Sequence, residues 1–457
     1  MNEAHYLRGG GFEKKQRRRF RLTPPEVLVL GFAALIFIGT LVLNTGWAAK
    51  SGVPPGFITA LFTATSAVCV TGLVVVDTGS YWSSFGQAVI LVLLQVGGLG
   101  IMTSATIFSI LLGRQIGLKE RLLIRESLGQ VNMAGVVRLV RQVLLFTLAV
   151  EAFFAVVLVL RFAKDYVWPV NLWYGIFHAV SAFNNAGFDL FGGLRSISGY
   201  VSDPLVNFGI ALPVIIGGLG FVVISELVVR RNWRHLSLHA KLTLVTTAAL
   251  LFAGFIVFLA LEYRNILHGF SWPVKLMTSF FQAVTPRTAG FSSVDIQALN
   301  PATQLFLCIL MFVGASPGST GGGIKTTTFV LLVLTVWSLA AGREGIEVFG
   351  RRIPLAQVLK AMGIFSLGVG WLGAVLVVLL ITESHGFLPL LFEGVSAFGT
   401  VGLSTGITPE LTPAGLMVII ATMFVGRLGP LTVAFAIAQR QRRPVAFRHP
   451  EEQIIVG

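Results

Sequence analysis

Two cysteines in 457 residues, Cys69 and Cys308, supply no disulfide framework, and a metal site would need more ligands than they provide. Charge is scarce too. Only 12% of residues are Asp, Glu, Lys or Arg, and the 20 acidic residues are outnumbered by 34 basic ones. Ordinary soluble domains carry about 25% charged residues. With 54% hydrophobic residues and a mean hydropathy of +0.82, the chain belongs in a bilayer. Short segments of alternating polarity are missing, which excludes a transmembrane barrel.

Long apolar runs are what the chain has. Eight qualify as helical spans, at residues 26–47, 85–112, 136–161, 204–230, 239–263, 303–340, 353–382 and 413–438, since about 20 apolar residues cross a hydrocarbon core. The run at 26–47 is too long for a signal-peptide core and no small-residue cleavage site is convincing, so it reads as a retained first helix. The net charge of +14 follows from topology. Seven Lys and Arg precede residue 26, six fall in 113–141, four in 230–241, four in 342–360 and four after 438. These positions share one side of the membrane, and the positive-inside rule makes that side cytoplasmic for both termini. Nucleic acid is therefore not expected as a partner.

Within this pattern a motif occurs four times. The stretch ending Val70-Thr71-Gly72-Leu73 returns as Ser181-Ala182-Phe183-Asn184-Asn185-Ala186-Gly187-Phe188, as Thr285-Pro286-Arg287-Thr288-Ala289-Gly290-Phe291, and as Ser396-Ala397-Phe398-Gly399-Thr400-Val401-Gly402-Leu403. The glycines are 115, 103 and 112 residues apart. One unit has been used four times, giving repeats at 26–112, 136–230, 239–340 and 353–438, between a basic N-terminus (1–25) and a C-terminal tail (439–457).

Between the two spans of each repeat lies a stretch too short to cross, at 57–68, 172–182, 273–284 and 388–398. Such a length predicts a re-entrant half helix returning as extended chain. Backbone without helical hydrogen bonds is tolerable at membrane depth only when buried in protein or lining a cavity. Four such returns around one axis would offer a dehydrated cation a ring of carbonyl oxygens. A lone glycine among 51 means close helix packing; four at one fixed point point to positive-φ turns lining a pore. The later clusters Gly97-Gly98-Leu99-Gly100, Gly217-Gly218-Leu219-Gly220 and Gly426-Arg427-Leu428-Gly429 are expected to serve packing.

The sixth apolar run is broken by Pro317 and by Gly314, Gly318, Gly321, Gly322 and Gly323, residues that oppose helix continuity. It predicts a gate loop from Gly314 through Ser316, Ser319 and Thr320 to Lys325, below the ring. Arg427 is expected as an electrostatic barrier, as the partner of an acidic residue in a neighbouring repeat, or as a cation snorkelling to headgroups. Asp77, Asp189 and Asp295 follow three of the ring glycines and read either as cation-concentrating residues or as ordinary loop caps. His178 reads as a hydrogen-bonded packing residue, for no second metal ligand lies at helical spacing. Gly318 to Lys325 imitates a phosphate loop, but Ile324 separates glycine from lysine and no strand precedes it, so no NTPase is expected.

Together these residues resemble the Trk/Ktr/HKT superfamily of potassium transporters, over residues 26–438, and the Ktr membrane subunits more than the Trk ones. The resemblance implies an all-α integral membrane protein of four helix–pore loop–helix repeats, eight spanning helices in pseudo-fourfold arrangement around one pore. It implies a K+ selectivity filter at Val70, Thr71 and Gly72; Asn185, Ala186 and Gly187; Thr288, Ala289 and Gly290; and Thr400, Val401 and Gly402. Gly72 matches the family's potassium-selective pattern, and no copy carries the full TVGYG filter of tetrameric channels. The resemblance also implies no catalytic group, no covalent cofactor, K+ as transported ion, Na+ as activator, a homodimer in the plasma membrane, and a cytoplasmic KtrA-like ring of nucleotide-binding regulatory subunits. The alternatives are a secondary transporter with a midplane site between broken helices, and a membrane enzyme or receptor, for which no cluster of His and acidic residues is visible.

Overall fold

A computed structural model describes residues 24–100, 103–104, 136–343 and 345–438. The basic N-terminus up to residue 23, the second run beyond residue 104, the basic stretch 113–135 and the tail 439–457 lie outside the described residues. The fold is mostly helical. In chain order the helices are α1 Pro24–Leu43, α2 Phe57–Val68 and α3 Ser84–Leu99; then α4 Val136–Phe162, α5 Val170–Phe183, α6 Pro204–Leu219 and α7 Phe221–Arg230. They continue with α8 Leu238–Glu262, α9 Trp272–Val284, α10 Pro301–Phe312 and α11 Thr326–Ala340; and end with α12 Leu355–Thr382, α13 Phe387–Gly399, α14 Pro413–Leu428 and α15 Pro430–Ala438. A two-stranded hairpin, Glu347–Val348 against Arg351–Arg352, separates α11 from α12.

Among the described residues four helices, α1, α4, α8 and α12, are long and apolar enough to cross a membrane, and the bent pair α6 and α7 would make a fifth span if counted as one. Only 17–33% of the four helices' apolar windows is buried, so Leu41, Phe153, Phe252 and Ile381 project outward. A helix apolar all round with most of that surface uncovered is solvated by lipid, not water. The half helices α2, α5, α9 and α13 are buried over most of their length. In α13, Leu390 and every residue from Phe392 to Gly399 are buried, and α2 is buried from Phe62 to Val68. Each of α2, α5, α9 and α13 packs against the long helix before it, which places the half helices at the centre and the spans around them.

The second spans of the first, second and fourth repeats depart from expectation. A break was expected only in 303–340. The structure also ends α3 at Gly100, α6 at Gly220 and α14 at Gly429, with φ of 84°, 92° and 85°. After Gly220 the chain resumes as α7 at 92° to α6. Glycine adopts this backbone without the steric penalty of a Cβ, so the last glycine of each cluster stops a helix. The earlier ones do serve close packing: a Cβ on Gly97, Gly217 or Gly426 would lie 2.0 Å from the carbonyl oxygen of Val68, Phe183 or Phe398.

Candidate functional site

At the end of each half helix the chain makes the same turn. Val70, Asn185, Thr288 and Thr400 have φ of 56°, 57°, 64° and 48°, and the glycines two residues later, Gly72, Gly187, Gly290 and Gly402, have 89°, 70°, 78° and 93°. Thr71, Ala186, Ala289 and Val401 lie between them with negative φ. The same alternation of positive and negative φ thus recurs in all four copies. Positive φ is tolerated by Asn, but at the β-branched Val70, Thr288 and Thr400 it costs about 1–3 kcal/mol and persists only when the surroundings over-determine it. Here they do: Val70, Asn185, Thr288 and Thr400 are fully buried.

The four turns meet. A Cβ on Gly72 would stand 2.4 Å from the Ala186 oxygen, on Gly187 2.9 Å from that of Ala289, on Gly290 2.5 Å from that of Val401, and on Gly402 2.1 Å from that of Thr71. These contacts close a circuit through all four segments, and no side chain larger than hydrogen fits in it. All four glycines line one cavity of about 580 Å³, whose wall also holds Asp77, Asp189 and Asp295.

A hydroxyl braces every turn. Ser66 and Ser396 accept the N–H of Gly72 and Gly402, both at 3.1 Å, while Ser181 and Thr285 donate to the carbonyls of Phe188 and Phe291. The spacing from brace to glycine is six residues in three copies and five in the third. These hydroxyls stand in the repeated motif itself, and the sequence pattern assigns them no role. Nor does it single out Arg287, a buried cation within the third turn whose Nη1 reaches the Thr247 carbonyl at 3.5 Å.

The loop from Gly314 to Lys325 lies directly against these turns. Thr320 donates its hydroxyl to Asn185 Oδ1 at 2.8 Å, and a Cβ on Gly321 or Gly322 would fall 2.1 Å from Thr288 Oγ1 or 2.4 Å from Thr400 Oγ1. Its backbone is tied on several sides. Ser316 N–H donates to Gly218, Thr320 N–H to Gly217, Gly323 N–H to Gly426, and Phe221 N–H to the Gly318 carbonyl. Gly314 N–H donates to Ile324, Ser319 donates to the Ser316 carbonyl, and the Pro317 carbonyl abuts Gly220.

Of the three expectations for Arg427, the acidic partner and the snorkelling cation are not what the described residues show. Among the described residues it faces no carboxylate; its guanidinium donates to the carbonyls of Thr320, Gly97 and Gly98. One fork thereby joins the loop, α3 and α14, which suits the planar geometry of arginine. Lys325 donates to the Gly321 carbonyl at 2.7 Å. A second cavity, about 170 Å³, is lined by Gly98, Gly318, Ser319, Gly321, Lys325 and Arg427. The loop and Arg427 thus stand between it and the ring of turns.

The remaining candidates have definite places. Asp77 caps the one-turn helix Thr78–Tyr81 and accepts the Leu194 N–H at 2.9 Å. Asp189 accepts the Phe191 N–H; burial pushes its carboxyl up to about 7, and the nearby Asp77 charge pushes the same way. His178 is fully buried on α5 and hydrogen-bonded at both ring nitrogens, to Tyr174 and Leu190. Among the described residues no group of three or more His, Cys, Asp and Glu comes together to hold a metal.

The model of the TrkH family, described as cation transport protein, matches residues 23–444. The chain belongs to this family. Within the TrkH family it is 43% identical over 441 residues to the Ktr system potassium uptake protein B of Bacillus subtilis, covering 96% of this chain and 97% of the relative. It is 38% identical over 449 residues to the potassium/sodium uptake protein NtpJ of Enterococcus hirae, covering 97% and 99%. The crystal structure of the potassium transporter TrkH from Vibrio parahaemolyticus superposes with a TM-score of 0.72 at 18% identity, over 93% of this chain and 87% of that one. Its TrkH-family relatives are cation transporters and not enzymes.

Proposed function

We propose that this chain is the ion-translocating membrane subunit of a potassium uptake system, with K+ passing through the ring of turns at Gly72, Gly187, Gly290 and Gly402. In this reading four helix–pore loop–helix repeats, eight spans in all, surround one axis in pseudo-fourfold arrangement. One observation carries the proposal: the four glycine turns close a circuit on the floor of a single cavity. Carbonyls turned to one side replace part of an ion's hydration shell. The C-terminal ends of α2, α5, α9 and α13 aim their partial negative charge the same way. A membrane potential of 100 mV then drives entry with about 2.3 kcal/mol per charge.

The loop from Gly314 to Lys325, with Arg427, is the gate in its closed form; opening breaks the ties to Asn185, Gly97 and Gly98. Na+ acts as an activator, and the functional assembly is a homodimer with a cytoplasmic KtrA-like ring of nucleotide-binding subunits. The name of the Bacillus subtilis relative, one protein of a Ktr system, supports a multi-component assembly. Both termini face the cytoplasm of a plasma membrane. The breaks at Gly100, Gly220 and Gly429 also suit a secondary transporter with broken helices; that reading requires obligatory coupling to a second ion.

Potassium flux into proteoliposomes, with Rb+ and Na+ competing, tests both. Gly290→Ser is expected to lower K+ preference over Na+ while protein remains in the membrane. Unchanged preference in a well-assembled variant would reject the filter, and flux strictly dependent on a second ion gradient would favour the transporter.

A further inference from the structure

One helical turn before the bracing hydroxyls Ser66, Ser181, Thr285 and Ser396 stand Thr63, His178, Gln282 and Glu393. The three-residue offset is the same in every copy and puts both positions on one face of each half helix. All four side chains are buried, with exposures of 1%, 0%, 0% and 0%. Three of them reach across to the chain that leaves the ring. His178 Nε2 accepts the N–H of Leu190 at 3.2 Å. Because that backbone group donates, the ring proton sits on Nδ1, which donates to the Tyr174 carbonyl at 2.7 Å. Gln282 donates to Ser292 Oγ at 3.0 Å and Ser293 Oγ at 3.4 Å. Glu393 accepts from the Ser404 hydroxyl with one oxygen and from Thr408 at 3.0 Å with the other. Thr63 differs: its hydroxyl donates back to Thr59 within its own helix, at 2.9 Å.

We infer that His178, Gln282 and Glu393 are positioning residues for ion discrimination, each fixing the outgoing strand of its copy, while the first copy lacks this tether. The inference rests on the filter reading above. Each tethered segment, Leu190, Ser292–Ser293 and Ser404–Thr408, follows its ring glycine by a few residues and is held there by side chains. A ring of carbonyls separates ions of unlike radius only while its oxygens keep their spacing, and sites of this kind need support that locks the first layer to within about 0.5 Å. Three different chemistries occupy the three tethering positions: a neutral imidazole, an amide and a carboxyl. Each meets a different partner across the turn, and Gln282 does so through its amide N–H alone, its Oε1 accepting no hydrogen bond among the described residues; the positions were therefore invisible as a motif, and they align only through the shorter third turn.

The experiment is K+ against Na+ flux competition on purified protein in proteoliposomes. Glu393→Leu and Gln282→Leu are each expected to lower K+ preference by roughly twofold to tenfold, the range that one lost hydrogen bond spans. Thr63→Val is expected to leave it unchanged. Should the Leu variants fail to assemble, Ser404→Ala and Ser292→Ala remove the partner hydroxyl with little change in volume and must give the same loss. Glu393→Gln combined with Ser404→Ala must be less than additive in ion preference, as two residues acting through one shared contact are; a merely structural role would lower assembly and leave the preference of the assembled protein unchanged. Wild-type preference in assembled Ser404→Ala and Ser292→Ala overturns the inference, as does an equal loss in Thr63→Val. If Gly290→Ser shifts preference and these variants do not, the tether alone fails; if none shifts it, the filter reading fails as well.

Discussion

The Thr320 hydroxyl donates to Asn185 Oδ1 at 2.8 Å, joining the glycine-rich loop to the turn that carries the second ring glycine. Both groups are fully buried, so a displaced loop leaves an amide oxygen without its donor. A net hydrogen bond of this kind contributes about 0.5–1.5 kcal/mol. Thr320→Val keeps the side-chain volume and deletes the bond. Basal Rb+ influx in the absence of any cytoplasmic partner is expected to rise by roughly twofold to tenfold. Influx at the wild-type level would separate this bond from gating.

Two glycines three residues apart in the fourth repeat predict opposite outcomes. Gly429 has a φ of 85° and no atom nearer than 4.0 Å to a built Cβ, so alanine there meets only the backbone penalty, about 1–3 kcal/mol. Gly426→Ala would place its Cβ 2.0 Å from the Phe398 carbonyl oxygen, in backbone that cannot yield. Thermal unfolding in detergent should show Gly429→Ala folded with a lowered midpoint and Gly426→Ala poorly assembled. The reverse order would contradict the roles given to the two positions.

Asp189 supplies a pH signature. With its carboxyl raised to about 7, chiefly by burial and then by Asp77, acidification from pH 8 to 6 takes it from mostly ionised to mostly protonated and removes a negative charge from the wall of the larger cavity. K+ influx at low external K+ should fall over this interval, and the pH dependence should flatten in Asp189→Asn. The stability sign is also fixed: a folded-state value above the unfolded one means that the burial penalty on this carboxylate, full above pH 7, is relieved as pH falls through 7. A wild-type pH profile retained in Asp189→Asn would remove this residue from ion entry.

The half helices were legible because their lengths and terminal glycines are properties of the chain alone. The expected 57–68 coincides with α2, and 273–284 differs from α9 by one residue. The break at Pro317 was equally plain. What stayed hidden depends on partners distant in sequence. Arg427 looked like an unpaired charge because its acceptors are backbone carbonyls at Gly97, Gly98 and Thr320, which no side-chain pattern announces. Gly100, Gly220 and Gly429 were taken for packing because a helix-ending glycine and a packing glycine share the same letter, and only the dihedral separates them. Glu393 lay inside an apolar half helix and drew no notice, since its partners Ser404 and Thr408 lie beyond the turn.

The third turn reaches its glycine in five residues where the others take six. No rotation therefore superposes the circuit on itself. Gly72, Gly187, Gly290 and Gly402 occupy four inequivalent corners, and the same substitution at each amounts to four separate experiments, not four replicates. A tetramer of identical chains imposes one change on all corners at once; a single polypeptide can be altered at one corner while the other three are left as they were.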